Sequence, residues 1–233
     1  MSGRASRSAL ATGLTLVAIA LLIGLGIWQL ERRTWKLALI AHTERQLRQP
    51  PVAAPGPAAW PAVGSDDVYR PVRVTGRYRA GADTYVQAVT ELGGGFWLLT
   101  PFETRGFTVL INRGFVPAER RGRIAVPAAP QTVVGLLRLS EPGGGFLRHN
   151  DPAADRWYSR DVAAIAATRR LGTVAPYFID AREPHVGFPR GGLTVVTFRN
   201  SHLVYALTWF GLAALVALMA WRVRRPSAGS SDR

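Results

Sequence analysis

Two uncharged apolar runs, one near each end, constrain this chain more than any other feature. Residues 8–30 form 23 positions without a charge between Arg7 and Glu31, and residues 203–221 form 19 between His202 and Arg222. At about 1.5 Å rise per helical residue, each run can cross a hydrocarbon layer of roughly 30 Å. The expected architecture is therefore a membrane hairpin of two transmembrane helices, 8–30 and 203–221, flanking one extramembrane domain. Two crossings return the chain to its starting side, so Leu30 and His202 belong to the same leaflet although far apart in sequence. A short tail, 222–233, follows the second span.

Arg4 and Arg7 resemble the basic start of a cleaved signal peptide, the alternative for the first run. The run is longer than the usual ~7–15-residue apolar region of such a peptide, and no small-x-small cleavage pattern follows it, which favours a retained anchor. Orientation rests on the basic residues near the helix ends. Arg32, Arg33 and Lys36 rival Arg4 and Arg7 at the first span, whereas Arg222, Arg224 and Arg225 outnumber Arg199 at the second. That asymmetry predicts a cytoplasmic tail, and long domains translocate largely regardless of charge. The expected location is the bacterial inner membrane, with the domain on the periplasmic side.

The formal charge of +14 invites a nucleic-acid reading, but Lys36 is the sole lysine among 29 basic residues and the arginines are scattered rather than clustered. This is not the footprint of a nucleic-acid partner. With no cysteine, disulfides, thiolate metal sites and cysteine nucleophiles are excluded.

Between the spans, residues 31–48 continue the first helix outward, with Trp35, Leu39 and His42 on one stripe, along the membrane surface or against the domain. Pro50, Pro51, Pro55, Pro57 and Pro61 then favour an extended linker. The juxtamembrane helix and linker occupy 31–65, and the domain 66–202. Strand candidates are 72–78, 84–89, 96–102, 108–116, 132–139, 176–180 and 194–199, several alternating apolar with polar. The two triple-glycine segments, 93–95 and 143–145, read as turns. After the apolar run 108–111, Asn112 is expected to turn the chain and Arg113 to donate to loop carbonyls. A helix is expected over 160–171, capped by Ser159 and ended by Gly172. Strands dominate with one packed helix, so the predicted fold is α+β, an antiparallel sheet or small β-barrel.

The domain shows no nameable catalytic constellation. His149 and His185 fall in loops, and Asp151, Asp155, Asp161 and Asp180 are dispersed. A Ser-His-Asp triad is recognised by geometry rather than spacing, but there is no Gly-x-Ser-x-Gly elbow and no His-Glu-x-x-His. A zinc site from the two histidines and a carboxylate stays open beside the plainer reading of loop residues, and no enzymatic role is assigned.

The membrane junctions offer more. His202, Tyr205 and Trp209 are spaced i, i+3, i+7 and share one side of the second helix. Trp28 and Gln29 lie at matching depth on the first, with Arg32 and Arg33 just outside. An imidazole at the boundary, beside aromatic rings and beneath guanidinium groups, suits an amphipathic metalloporphyrin: histidine for the iron, rings for the macrocycle, arginines for the propionates. The same residues equally suit an ordinary interfacial aromatic belt with a hydrated histidine.

Gly26-Ile-Trp-Gln-Leu-Glu-Arg-Arg-Thr-Trp-Lys36, Arg70-Pro-Val-Arg-Val-Thr-Gly76, Leu110-Ile-Asn-Arg-Gly-Phe-Val-Pro117, Trp157-Tyr158, Tyr177-Phe-Ile-Asp180 and Asn200-Ser-His-Leu-Val-Tyr-Ala-Leu-Thr-Trp-Phe210 occur in this order. Together they resemble the Surfeit locus (Shy-type) family of cytochrome c oxidase assembly proteins, over nearly the whole chain. The resemblance implies an inner-membrane factor that assists insertion of haem a into the catalytic subunit of cytochrome c oxidase, with haem a synthase as a further partner. It maps the family's proposed haem ligand onto His202 and its Gly-x-Trp tryptophan onto Trp28. Two other readings remain: a scaffold that stabilises the oxidase subunit without haem, and an enzyme of the extramembrane domain.

Reporter fusions test the expected topology. A reporter active only in the periplasm should be active when inserted in the segment 50–64 and silent at the C-terminus; the reverse pattern would place the domain in the cytoplasm.

Overall fold

The computed structural model describes residues 2–145, 147–182, 187–192 and 201–225. It contains α1 (Ser2–Leu47), β1 (Val52–Ala53), β2 (Pro71–Tyr78), β3 (Thr84–Thr90), β4 (Gly93–Glu103) and β5 (Thr108–Pro117). These are followed by β6 (Gln131–Leu139), β7 (Gly144–Gly145), β8 (Arg148–His149), α2 (Val162–Thr168), β9 (Val174–Ala181) and α3 (His202–Arg224). The chain divides into two compact units, Met1–His42 with Thr197–Arg233, and Thr43–Val196. Both terminal helices contain stretches long and apolar enough to cross a membrane, and they flank a β-rich domain.

In the domain, strand order is β1-β2-β6-β9-β5-β4-β3, and an extra pairing of β2 with β4 closes five strands into a small barrel. Closure runs through Arg77 opposite Glu103 and Tyr78 opposite Phe102. The two-residue alternation of side chains explains why β5 and β9 read as continuous apolar runs. Val109, Ile111, Tyr177 and Ile179 fill the barrel with Val72, Val74, Phe102, Val133 and Leu137. Leu110 and Phe178, one residue out of phase, instead pack outside with Leu99, Trp157, Val162, Ile165 and Leu171. α2 therefore covers one wall of the barrel, so these strands are buried on both faces.

That outer layer also contains a buried polar network. Asp180 is nearly inaccessible and receives Asn112 Nδ2 at 2.8 Å and Arg138 Nη1 at 2.9 Å, with Arg160 Nη1 3.7 Å away. Arg160 in turn binds Glu141 through Nε at 3.0 Å and Nη2 at 2.5 Å, and its guanidinium lies over the Phe178 ring. One carboxylate thereby joins β5, β6, β9 and the segment leading into α2.

Several expectations are revised. The Pro-rich segment is not a free linker: β1 pairs in parallel with β2, and Ala54, Trp60 and Val63 pack on the barrel core. The Pro55 carbonyl accepts from Trp60 Nε1 at 3.0 Å and from the Tyr177 hydroxyl at 2.7 Å, so prolines that forbid a helix still find aromatic partners. Glycines 93–95 belong to β4, opposite Thr90, Val89 and Ala88, and Gly144–Gly145 form the short strand β7. α2 is shorter than expected. Its cap is Asp161, whose carboxylate accepts from Ala164 N at 3.1 Å, while Ser159 accepts from Asn150. The left-handed residue after α2 is Arg170 rather than Gly172. Residues 31–47 do continue the first helix: α1 runs from the apolar stretch through Leu47 without interruption.

Asn112 does not turn the chain either. It lies within β5, and its Oδ1 accepts from Gly114 N at 3.1 Å. Gly114 has φ +125°, and a Cβ there would strike the backbone of Arg190 and Gly191, which pairs with Phe115 at this point; glycine is required for that approach. Arg113 donates to the loop carbonyl of Ala125 at 2.8 Å, as expected. The strand candidate 194–199 and His185 lie outside the described residues.

Removing the Asp180 carboxylate would take the closer of its two carboxylates from Arg138, leaving it Glu141 at 3.8 Å, and would strip the buried Asn112 amide of its acceptor. Asp180→Ala should therefore lower stability by about 3–5 kcal/mol in urea unfolding of the full chain in detergent; a loss below about 1 kcal/mol would mean the carboxylate is not desolvated. Glu141 adds a pH test. Burial pushes its carboxyl up, but the hydrogen bonds and charge of Arg160, with Arg138 behind it, hold it below its ordinary value. A lowered carboxyl stabilises the fold above the ordinary carboxylate range and ceases to do so as pH falls through its folded value. The stability difference between wild type and Glu141→Gln should accordingly be full at neutral pH and vanish in acid.

Candidate functional site

The helical unit brings α1 and α3 together along a heptad-spaced seam. On α1 the partly or fully covered positions Ile19, Leu22, Gly26, Gln29 and Arg33 alternate steps of three and four; on α3 the same spacing joins His202, Ala206, Trp209 and Ala213. A 3.5-residue repeat keeps one face of a helix against its neighbour. Small residues let the backbones approach, as expected inside lipid: Ala206 and Ala213 are buried, and a Cβ on Gly26 would collide with the Phe210 ring. The remaining apolar side chains, including Leu21, Ile27, Val204, Leu207 and Leu215, face outward, as lipid-contacting residues should.

Into this seam two polar side chains project from opposite helices. His202 Nδ1 lies 2.8 Å from Gln29 Oε1. An amide oxygen only accepts, so in this pair Nδ1 is the donor, and the other ring nitrogen, Nε2, is not engaged by Gln29. This is the arrangement in which a histidine is held in one orientation and presents its other nitrogen to a metal, the carbonyl-type partner fixing the tautomer. Ser201 stands at the N-cap position of α3 without a capping side-chain bond, and His202 occupies the first turn, at the end of the apolar stretch rather than in its middle.

The other expected site residues are arranged around this pair in two groups. Trp209 lies on the seam, one heptad after His202, and Arg33 on the seam one turn beyond Gln29. Trp28 and Tyr205 are about half exposed and project from the flanks of their helices. Arg32 is exposed and stacks on the Trp35 ring, 4.1 Å from its centroid. The i, i+3, i+7 reading thus joins His202 to Trp209 more closely than to Tyr205, because three residues leave a helical face by about 60° and seven by about 20°. Gln29 was placed by depth alone; its bond to His202 and the contact of Gly26 with Phe210 appear only when the two helices are paired.

The four aspartates considered as candidates, Asp151, Asp155, Asp161 and Asp180, have structural partners. Asp151 pairs with Arg156 and Asp155 with Arg169, Asp161 caps α2, and Asp180 anchors the network above. His149 is exposed on β8. Among the described residues, no three histidine or acidic side chains gather as a metal cluster would require.

Comparison with known proteins gives a consistent result across both units. The profile described as SURF1 family matches residues 16–214, which include the seam on both helices and the whole barrel. Surfeit locus protein 1 of Rattus norvegicus is 36% identical, with 87% of this chain and 72% of that protein covered. The Homo sapiens protein of the same name is 35% identical, with coverages of 84% and 71%. A SURF1-like protein of Monosiga brevicollis is 34% identical, with coverages of 89% and 85%.

The absence of native cysteine makes the seam directly testable. Gln29→Cys with His202→Cys should be joined by a short homobifunctional thiol reagent in membranes, which spans the gap left by the two long side chains, while Ile27→Cys with His202→Cys should not. Adding Gly26→Leu should suppress the first cross-link by displacing Phe210. Equal cross-linking of both pairs would contradict the seam.

Proposed function

The chain belongs to the SURF1 family, and from that premise we propose that it is a membrane-bound assembly factor for cytochrome c oxidase that holds haem a for delivery to the catalytic subunit. The observation that carries this reading is the Gln29–His202 hydrogen bond at the end of the apolar stretch. A histidine with Nδ1 engaged and Nε2 available is a suitable axial ligand for haem iron.

Haem a is cargo here, and its bound iron would supply the one interaction at this site that apolar packing cannot replace. His202 would hold the iron. Trp209 on the seam and the half-exposed Trp28 and Tyr205 offer apolar rings to the macrocycle, and Arg32 and Arg33 offer guanidinium groups to its propionates. Gln29 keeps the imidazole in one tautomer. A site at the edge of the apolar stretch lets a lipophilic tail remain in the bilayer while the carboxylates reach the cationic turn. Haem a synthase is the corresponding donor, and the bacterial inner membrane with a periplasmic domain the corresponding setting.

Purification from cells that make haem a tests the proposal. The wild-type chain should carry a haem spectrum. His202→Ala should reach the membrane at normal abundance and lose that spectrum, His202→Met should retain weak binding through a thioether ligand, and His149→Ala should be unchanged. Gln29→Leu should keep the iron bond but weaken haem retention, since loss of a histidine's outer partner typically costs 10–100-fold in metal affinity. A His202→Ala protein with unaltered haem content would leave the chain as a scaffold for the oxidase subunit rather than a haem carrier.

A further inference from the structure

β3 is the outermost strand of the sheet, and its free side is only partly covered. Gln87 N–H points away from β4 and donates to the Trp157 carbonyl at 2.8 Å. Two residues on, the N–H and C=O of Val89 point the same way by strand alternation. Among the described residues neither has a hydrogen-bond partner on that side. Exposed edges are ordinarily blunted by lysine, proline or a covering segment. Here the edge carries a valine that is 91% exposed.

Beside this edge lies a groove of about 420 Å³, lined by Gln87, Val89, Gly94, Gly95, Arg148 and Tyr158 among others. Gly94, opposite Val89 on β4, has open space where its Cβ would stand, so no side chain shields Val89 from that side. Gly145 of β7 and Arg148 of β8 form the far wall of the groove. Arg148 reaches back to Gln87 Oε1 at 3.2 Å and lies over the Tyr158 ring. Neither contact neutralises its charge, whereas Arg156, Arg160 and Arg169 nearby each hold a carboxylate.

We propose that the β3 edge and this groove form a docking site for an extended segment of a partner protein, which adds a strand beside Val89 and presents a carboxylate to Arg148. The unpaired Val89 amide and carbonyl call for a peptide backbone rather than a lipid. Arg148, which meets no carboxylate among the described residues, calls for an acidic side chain, and the exposed Val89 calls for an apolar one. This is recognition by β-strand addition, with main-chain bonds supplying affinity and alternate side chains supplying selectivity. It goes beyond haem binding and does not depend on it.

The test uses the full chain in detergent and an array of hexapeptides alternating valine or leucine with threonine, each carrying aspartate, asparagine or lysine at successive positions. Aspartate members should be captured at least tenfold more strongly than lysine members. Arg148→Ala should abolish that preference, and Val89→Pro should abolish capture, because it removes the outward amide without touching the β3–β4 ladder. Val89→Thr should bind normally, and the best peptide should slow deuterium exchange at Val89. Should Val89→Pro fail to fold, the Arg148→Ala result and the exchange at Val89 decide alone. Equal capture of aspartate and lysine members, no capture at all, or self-association of the chain through this edge in sedimentation would each overturn the proposal.

Discussion

A hydrocarbon layer offers no hydrogen bonds, and this restriction organises the helical unit. Every backbone donor and acceptor within it must be satisfied inside the segment, so the two apolar runs are helices. A polar side chain placed between them must find its partner across the interface. Gln29 and His202 do so with one bond, supported by a seam in which Gly26, Ala206 and Ala213 keep the helices close. His202 stands at the end of the apolar stretch of α3, and among the described residues only Gln29 bonds to its ring.

The domain meets an analogous problem by different means. Its barrel is small, and strands β5 and β9 are buried on both faces, which leaves little room for polar groups. Asp180 nevertheless sits in the outer layer because Asn112, Arg138 and Arg160 converge on it. Charged groups buried this way contribute little net stability but are costly to leave unpaired. The network therefore ties the register of β5, β6 and β9 to the position of the segment that opens α2. Asn112, Asp180 and Trp157 all fall in segments that resemble the family, and all three have structural partners in this layer. Their role is to hold the barrel and its helix together, which separates them from the membrane-boundary residues.

The apolar lengths, the strand alternation and the ordered motifs were readable from the chain because each is local. A run of 23 uncharged residues has few alternatives, and β2, β3, β4, β5, β6 and β9 all fall on segments whose side-chain pattern marks them as strands. Their pairing was not readable, because hydrogen-bond partners separated by tens of residues leave no local trace. The Pro-rich segment shows the limit from the other side: proline excludes a helix but does not say whether an extended chain floats or packs. Only the position of Tyr177 and the barrel core makes Pro55 and Trp60 part of the domain.

The candidate site divides in the same way. Sequence by itself placed His202, Gln29 and Trp28 at matching ends of the two apolar runs, because helical rise converts residue number into distance. It also determined which family the motifs resemble. Only the tertiary structure decided that Gln29, rather than Trp28, meets His202, since this depends on how α1 and α3 are rotated about their axes. That rotation follows from packing Gly26 against Phe210, a contact between residues nearly two hundred positions apart. The free edge of β3 was likewise invisible until the strand order was known, because a strand carries the same pattern whether or not it has a neighbour. Local physics determines what each segment is, and the facing of distant segments determines which of their groups remain unpaired.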